Sequence, residues 1–283
     1  MSSPLVSVIC LCYNHACYVV EAMQSVIGQT YPAVELIVVD DASTDNSEEV
    51  IKRFVKGKEQ IKFISLEQNV GNCAAFNKGL KLSSGAYIID LAADDVLFPT
   101  RIEEGVKAFD RVQDDFGVQF SDAQLIDDVG NLIGFHSDKY PHDNIPQGDI
   151  YRELIARYFI LSPTMLIKRK VLELLNGYDE QLAYEDFDFW IRSSRHFKYL
   201  YIPKPLVKRR VLNDAMNSKQ FVRGSGQLRS TFKVCRKINE LNETPEEKQA
   251  LINRIRYEIK VSLKLFDFSL TADYFRLLKD IKG

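Results

Sequence analysis

The fold class predicted is α/β: a Rossmann-like, mixed but mainly parallel sheet flanked by helices, with a C-terminal helical extension. Three observations predict it. Apolar β runs alternate with helical patterns of about a dozen residues four times between Val6 and Leu91, which implies parallel strands joined by right-handed crossovers. These runs are apolar throughout, as strands buried on both faces are. Beyond Val112 the spacing shortens to a strand and a hairpin, so the sheet turns mixed. The 283 residues are 46% hydrophobic and 27% charged, enough for a full core. The boundary is placed at 215/216, giving an α/β domain over residues 1–215 and a helical extension over 216–283.

The first strand is Val6 to Leu11. Asn14 is expected to cap the next helix, whose apolar positions Ala16, Val19, Val20, Met23 and Ile27 end at Gly28. Strand two, Glu35 to Val39, runs into Asp40 and Asp41. A helix from Ser47 turns Val50, Ile51, Phe54 and Val55 inward, followed by a strand from Ile61 to Leu66 and a helix from Asn72 to Leu82. Strand four, Tyr87 to Leu91, delivers Asp94 and Asp95 at its tip. A helix over Pro99 to Val112 precedes a strand at Gly117 to Ser121, a hairpin turn at Asp127 to Asn131 and a polar loop over residues 136–148. A strand at Pro163 to Ile167, a turn at Gly177 to Asp179, a helix opened by Glu185 and Asp186, and two short β pieces (Tyr199 to Pro203, Leu206 to Val211) complete the domain. In the extension, Leu228, Phe232, Cys235, Ile238 and Leu241 keep helical steps. Thr244 to Glu247 is a capping box with proline at the first helical position, and Ile252, Ile255, Ile259, Leu263 and Phe266 are expected to form the inner stripe. A last helix spans Leu270 to Ile281.

Asp94 and Asp95 lie where an open α/β sheet binds ligands, at the carboxyl end of a strand. Two neighbouring carboxylates repel unless a cation stands beside them, although a solvated turn capping the next helix is the plainer reading. Similar plain readings exist elsewhere: Asp40 and Asp41 before a helix, Glu185 and Asp186 answering a helix dipole, Tyr13 and Trp190 as core. No GxGxxG follows strand one, which disfavours a hydride-transfer enzyme. Cys10, Cys12, His15 and Cys17 sit close together, but the first two belong to an apolar strand, so zinc is disfavoured. Five cysteines without a CxxC pair fit a reducing compartment. No signal-peptide pattern and no apolar run near the roughly 18 residues of a membrane span occur, which predicts a cytoplasmic protein.

The segments VSVICLCYN (6–14), SVIGQTYPAVELIVVDDASTD (25–45), NVGNCAAFNKGL (69–80), SGAYIIDLAADDVLFP (84–99) and NGYDEQLAYEDFDFWIR (176–192) together resemble a family 2 glycosyltransferase of the GT-A fold. Their order and spacing match over Val6 to Val211. The resemblance implies that residues 1–215 are a nucleotide-sugar-binding and catalytic domain. There a sugar would pass from a nucleotide diphosphate, UDP- or dTDP-linked, to an acceptor hydroxyl with inversion, in polysaccharide or glycan biosynthesis. It implies donor contacts at Tyr13, Asn14, Asp40, Asp41, Asn77 and Asp94, and Mg²⁺ or Mn²⁺ at Asp95 and Asp94. Asp186 would be the catalytic base with Glu185 beside it.

Departures from the pattern are equally plain. Ala92 replaces the first carboxylate of DxDD, Phe76 stands where many relatives have Arg, and Leu212 occupies the place of a metal-binding His. An alternative is therefore a non-catalytic nucleotide-sugar-binding or scaffold homologue. A metal phosphohydrolase would need further ligands, for which His136 and His142 are the local candidates. The chain's net charge of −2 is unevenly spread: residues 216–283 hold 14 Lys and Arg against 8 Asp and Glu, a balance of +6 that leaves −8 for the rest. That basic extension suits packing, a homodimer, or peripheral contact with the inner membrane face, where a saccharide or lipid-linked saccharide acceptor would reside. A nucleic-acid partner is disfavoured, since the body is acidic and no aromatics interleave the basic run Lys204 to Arg210.

Overall fold

In the computed structural model, residues 3–140, 145–212 and 222–282 are described. The strands are β1 (Val6–Cys12), β2 (Val34–Asp40), β3 (Ile61–Ser65), β4 (Tyr87–Ala92), β5 (Val96–Leu97), β6 (Phe116–Ile126), β7 (Leu132–Phe135), β8 (Leu166–Lys168) and β9 (Lys198–Arg210). They form one sheet in the order β3-β2-β1-β4-β8-β6-β9-β5, with β7 on β6. The first four are parallel, and β8 runs antiparallel between β4 and β6, so the sheet is mixed as expected.

Helices cover both faces. Ile9, Leu11, Ile37 and Val39 pack beneath α3 (Asn72–Leu82), while Val8, Cys10, Cys12 and Val38 pack beneath α1 (Val19–Ile27), α2 (Ser47–Val55) and α4 (Arg101–Phe109). This two-sided burial is why the strands read as continuous apolar runs. It also places Cys10 and Cys12 in the core. Close helix-to-strand approach is needed at Gly79, where a Cβ would lie 2.5 Å from Ile9.

Several elements differ from expectation. Two further helices, α5 (Tyr151–Ala156) and α6 (Arg169–Leu175), precede α7 (Asp186–Ser194). Both are short, too short for a clear periodic signature. The two β pieces after α7 are one strand, β9, whose pairing with β6 shifts register near Pro205, where the chain lacks an N–H. Asn14 does not cap α1. It adopts φ 58°, and its Oδ1 instead accepts from the backbone of Thr44 (2.7 Å) and Asp45 (3.3 Å) ahead of α2. His136 is buried against the Phe159 carbonyl (3.0 Å) and serves packing; His142 and the 215/216 boundary lie outside the described residues.

The extension comprises α8 (Gly226–Leu241), α9 (Pro245–Lys264) and α10 (Phe268–Lys282). Thr244 and Glu247 make the expected capping box. Leu228, Ile238, Ile255, Ile259, Tyr274 and Ile281 share one apolar cluster with Phe120, Phe187 and Trp190, so these helices extend the main core. Phe266 is not in the inner stripe: α9 ends at Lys264, Phe266 takes φ 54°, and its ring is 65% exposed. It meets the exposed Phe268 edge to face. Phe275, Leu263 and Tyr257 are exposed as well, among exposed Arg256, Lys260, Lys264, Arg276, Lys279 and Lys282.

Candidate active site

Register brings the expected residues to one edge. Cys12 pairs with Asp40 and Leu11 with Ala92, so the carboxyl ends of β2, β1 and β4 finish level. Two backbone bonds, Asp41 N to Cys12 O (2.8 Å) and Ala93 N to Leu11 O (2.9 Å), prolong that alignment into the loops. Tyr13, Asp40, Asp41, Asp94 and Asp95 therefore lie together at the carboxyl end of the sheet, where open α/β sheets bind ligands. Tyr13 is 45% exposed there, available for stacking rather than buried as core.

Asp40 and Asp41 are more deeply committed than their motif suggests. Asp40 accepts from the Ser43 hydroxyl (2.5 Å) and backbone N–H (3.0 Å), whereas Asp41 accepts from the N–H groups of Val70 and Gly71 (2.8 and 2.9 Å) at the start of α3. Both are buried. These bonds shape the loops, leaving only remaining lone pairs for a ligand. Asn77, expected at the donor, is engaged by the fold itself. Its amide donates to Tyr178 O and Glu180 Oε1 and accepts from Tyr178 N, all at 2.9 Å, clamping α3 to the turn before α7. It is a positioning residue, and Gly177 beside it takes φ 77° where a Cβ would fall 2.3 Å from Asn77 Oδ1.

Asp94 and Asp95 sit in a turn held from β9. Arg210 donates its backbone N–H to Asp95 Oδ1 (2.9 Å) and its Nε to the Asp94 carbonyl (3.1 Å). The same guanidinium, 3% exposed, reaches the carbonyls of Asp127 and Asp128 (3.1 Å each) and Glu21 Oε2 (2.7 Å), and lies over the Tyr18 ring. Arg210 is the site residue that sequence reasoning missed. Its signal is the basic run Lys204 to Arg210, which enters the sequence reading only as a disfavoured nucleic-acid contact. Burial and the neighbouring Asp94 push the Asp95 carboxyl well above the usual range. The Asp94 side chain keeps 13% exposure, and His15 Nδ1 stands 3.7 Å from its Oδ1.

Two hard oxygen donors side by side suit Mg²⁺ or Mn²⁺, which are commonly held by one or two carboxylates plus substrate phosphates. Among the described residues no three His, Cys, Asp or Glu side chains gather round a cation position. The fit is thus to a cation shared with a diphosphate, since the protein's own donors do not close a cage.

Glu185 and Asp186 open α7 facing the start of α3. Glu185 Oε2 accepts from Asn72 Nδ2 (2.5 Å), while Asp186 Oδ1 is covered and has no hydrogen-bond partner. Burial, then the Glu185 charge, pushes Asp186 well above the ordinary carboxylate range. Asp90, mid-strand on β4 and likewise raised by burial and Glu185, backs the pair. The Arg209 charge opposes the rise at both Asp95 and Asp186.

A mixed, mainly parallel sheet carries one acid pair at the carboxyl end of its strands and a second at the start of α7. The sequence matches the profile of Glycosyl transferase family 2 over residues 7–173, and the chain belongs to that family. It is 34% identical over 218 residues to an uncharacterized glycosyltransferase of Methanocaldococcus jannaschii, spanning 75% of this chain and 73% of that one. Against a 30% identical glycosyltransferase of Rickettsia typhi the match covers 74% of this chain and 64% of the relative. The fold is that of GT-A glycosyltransferases: Staphylococcus aureus TarS 1–349 with UDP-GlcNAc superposes with TM-score 0.68 at 17% identity, covering 98% and 90% of the two chains. The mannosyltransferase PcManGT of Pyrobaculum calidifontis, with GDP-Man and Mn²⁺, gives 0.63 at 16% identity, covering 99% and 83%.

Proposed function

We propose that this chain is an inverting, metal-dependent glycosyltransferase that moves a sugar from a UDP- or dTDP-linked donor to an acceptor hydroxyl during polysaccharide or glycan synthesis. The observation that carries the reading is the level ending of β2, β1 and β4, which brings Tyr13, Asp40–Asp41 and Asp94–Asp95 to the same end of the sheet. Tyr13 stacks on the base, and the remaining lone pairs of Asp40 and Asp41 orient base and ribose. Asp94 and Asp95 would hold Mg²⁺ or Mn²⁺, which when bound neutralises charge on the departing diphosphate. Asp186, with its uncovered need for a proton at Oδ1, takes the acceptor's hydroxyl proton as the oxygen attacks the anomeric carbon opposite the leaving group. Burial first, then the Glu185 and Asp90 charges, raises the affinity of the Asp186 carboxyl for that proton.

The acceptor side points to a lipid-linked saccharide at an anionic bilayer face. Support comes from the exposed, mutually packed rings of Phe266 and Phe268 at the α9–α10 junction and from the exposed cations that these two helices carry, a composition that suits an interfacial anchor. No helix among the described residues is long and apolar enough to cross a membrane. Sedimentation with vesicles checks this part: the protein should pellet with phosphatidylglycerol-containing vesicles, and the Phe266→Ser/Phe268→Ser variant should stay in solution. The catalytic part is tested by donor hydrolysis across UDP- and dTDP-sugars with and without Mn²⁺. Turnover of one donor only with metal is expected; none for any donor would favour the scaffold alternative that Ala92 and Leu212 raise.

A further inference from the structure

We propose that Lys237 of α8 is a positioning residue for the base at Asp186, so that the helical extension aims that carboxylate as well as enlarging the core. The inference rests on the assignment of Asp186 as base and adds to it what holds the carboxylate in place. Residues 176–185, between α6 and α7, form neither helix nor strand, yet they lead directly into Asp186. Such a segment keeps one conformation only where bonds from outside offset the entropy of ordering it. Lys237 Nζ donates to Asp179 Oδ2 (2.6 Å) and to Asp188 Oδ1 (2.5 Å), so one ammonium closes both ends of the stretch that carries Glu185 and Asp186. Asp188 is buried in the first turn of α7, and its other oxygen accepts from Arg192 Nε (2.6 Å).

Other side chains of the same helix meet the segment between those two points. Lys233 Nζ donates to the Gln181 carbonyl (2.9 Å), Ser230 Oγ accepts from the Ala183 N–H (2.8 Å), and Thr231 Oγ1 shares a hydrogen bond with the Tyr184 hydroxyl (2.7 Å). From α9, the Arg254 guanidinium donates to the Tyr158 hydroxyl and lies 4.8 Å from the centre of the ring of Phe187, the residue after Asp186. A helical cap needs only apolar contacts to pack. Here polar side chains of α8 meet residues 179, 181, 183, 184 and 188. Lys237 stands apart because its bonds reach past Asp186 to α7 itself. A surface ion pair would contribute little, but Asp188 is 1% exposed, so this ammonium answers a buried charge. Its loss should let the segment shift, and a displacement of about 1 Å at a reacting group can cost about 10²-fold in rate.

The test follows hydrolysis of UDP- and dTDP-sugars by the full chain with Mn²⁺, water standing in for the acceptor hydroxyl, beside calorimetry of UDP and dTDP binding. Lys237→Met should lower kcat by about tenfold or more while KM and diphosphate affinity stay within about twofold, the split expected when only the transition state is affected. Lys237→Arg should recover most of the loss, because a guanidinium can bridge the same two carboxylates. In the Asp186→Asn background, Lys237→Met should cost less than about twofold further, since the group it aims is already gone. Asp188 keeps Arg192, so Lys237→Met should still fold, which its thermal midpoint checks. Should it unfold, Ser230→Ala decides alone: a lowered kcat at unchanged KM supports the inference and a parental kcat overturns it. Loss of rate in Asp186→Asn beside a parental kcat in Lys237→Met, or losses that multiply in the double variant, would overturn this inference and leave the base reading standing. A parental rate in Asp186→Asn, or no turnover by the parent, would overturn that reading and this inference with it.

Discussion

Two pairs of adjacent acids, Asp94–Asp95 and Glu185–Asp186, sit in different surroundings, although burial raises Asp95 and Asp186 alike. Asp94 and Asp95 end a strand, in a turn that Arg210 fastens through its backbone and Nε, with His15 close by and part of Asp94 open to solvent. Glu185 and Asp186 begin a helix, set against Asn72 and backed by a third buried acid, Asp90, with Phe187 and Phe189 of the same helix in the core. In the first pair Asp95 accepts from the Arg210 backbone and Asp94 keeps some exposure, whereas in the second Asp186 Oδ1 is covered and unpartnered. The same residue pairing thus yields an electrostatic clamp at one wall and a base at the other, decided by what surrounds it.

The largest effect should come from breaking the proton side. Asp186→Asn should lower transfer by about 10²- to 10⁴-fold while donor affinity and thermal midpoint are retained, checked by steady-state kinetics beside calorimetry. Breaking the scaffold of the cation side acts on stability. Arg210→Gln removes a buried guanidinium that joins Asp94, Asp127, Asp128 and Glu21, and should cost about 3 to 5 kcal/mol in urea unfolding. Arg210→Lys should recover little, because one ammonium cannot span the same fork of acceptors.

Asp90→Asn should give a smaller change that sharpens the contrast. A carboxyl whose folded pKa is raised favours the fold most below its unfolded value of about 3.9, and that contribution is lost as pH rises through the folded value. At pH 7 the variant should therefore be more stable than the parent by about 1 kcal/mol. Removing this charge also eases ionisation of Asp186, so the acid limb of the kcat/KM profile should move to lower pH. An acid limb that stays in place would mean Asp90 acts on packing alone.

Much of the donor half was legible because its strands are buried on both faces and their tips carry motif acids, so pattern and chemistry coincide from Val6 to Asp95. The roles of individual side chains were less so. Asn77 looked like a ligand contact because motif position cannot tell a residue that touches substrate from one that holds the turn before α7. Arg210 was hidden for the opposite reason: its partners are backbone carbonyls from distant segments, which no local spacing reports. The helices α5 and α6 are short enough that tertiary packing, not periodicity, maintains them. Asn14 illustrates a choice between two nearby helix starts, in which the bonds to Thr44 and Asp45 win because Asn14 adopts a left-handed turn.

The central claim, that one acid pair binds cation and donor while the other moves a proton, is tested most directly by calorimetry of UDP and dTDP binding with and without Mn²⁺ in Asp94→Asn and Asp186→Asn. The account predicts metal-dependent binding of one diphosphate, lost in Asp94→Asn and intact in Asp186→Asn. Equal loss in both variants, or full binding by Asp94→Asn, would contradict it.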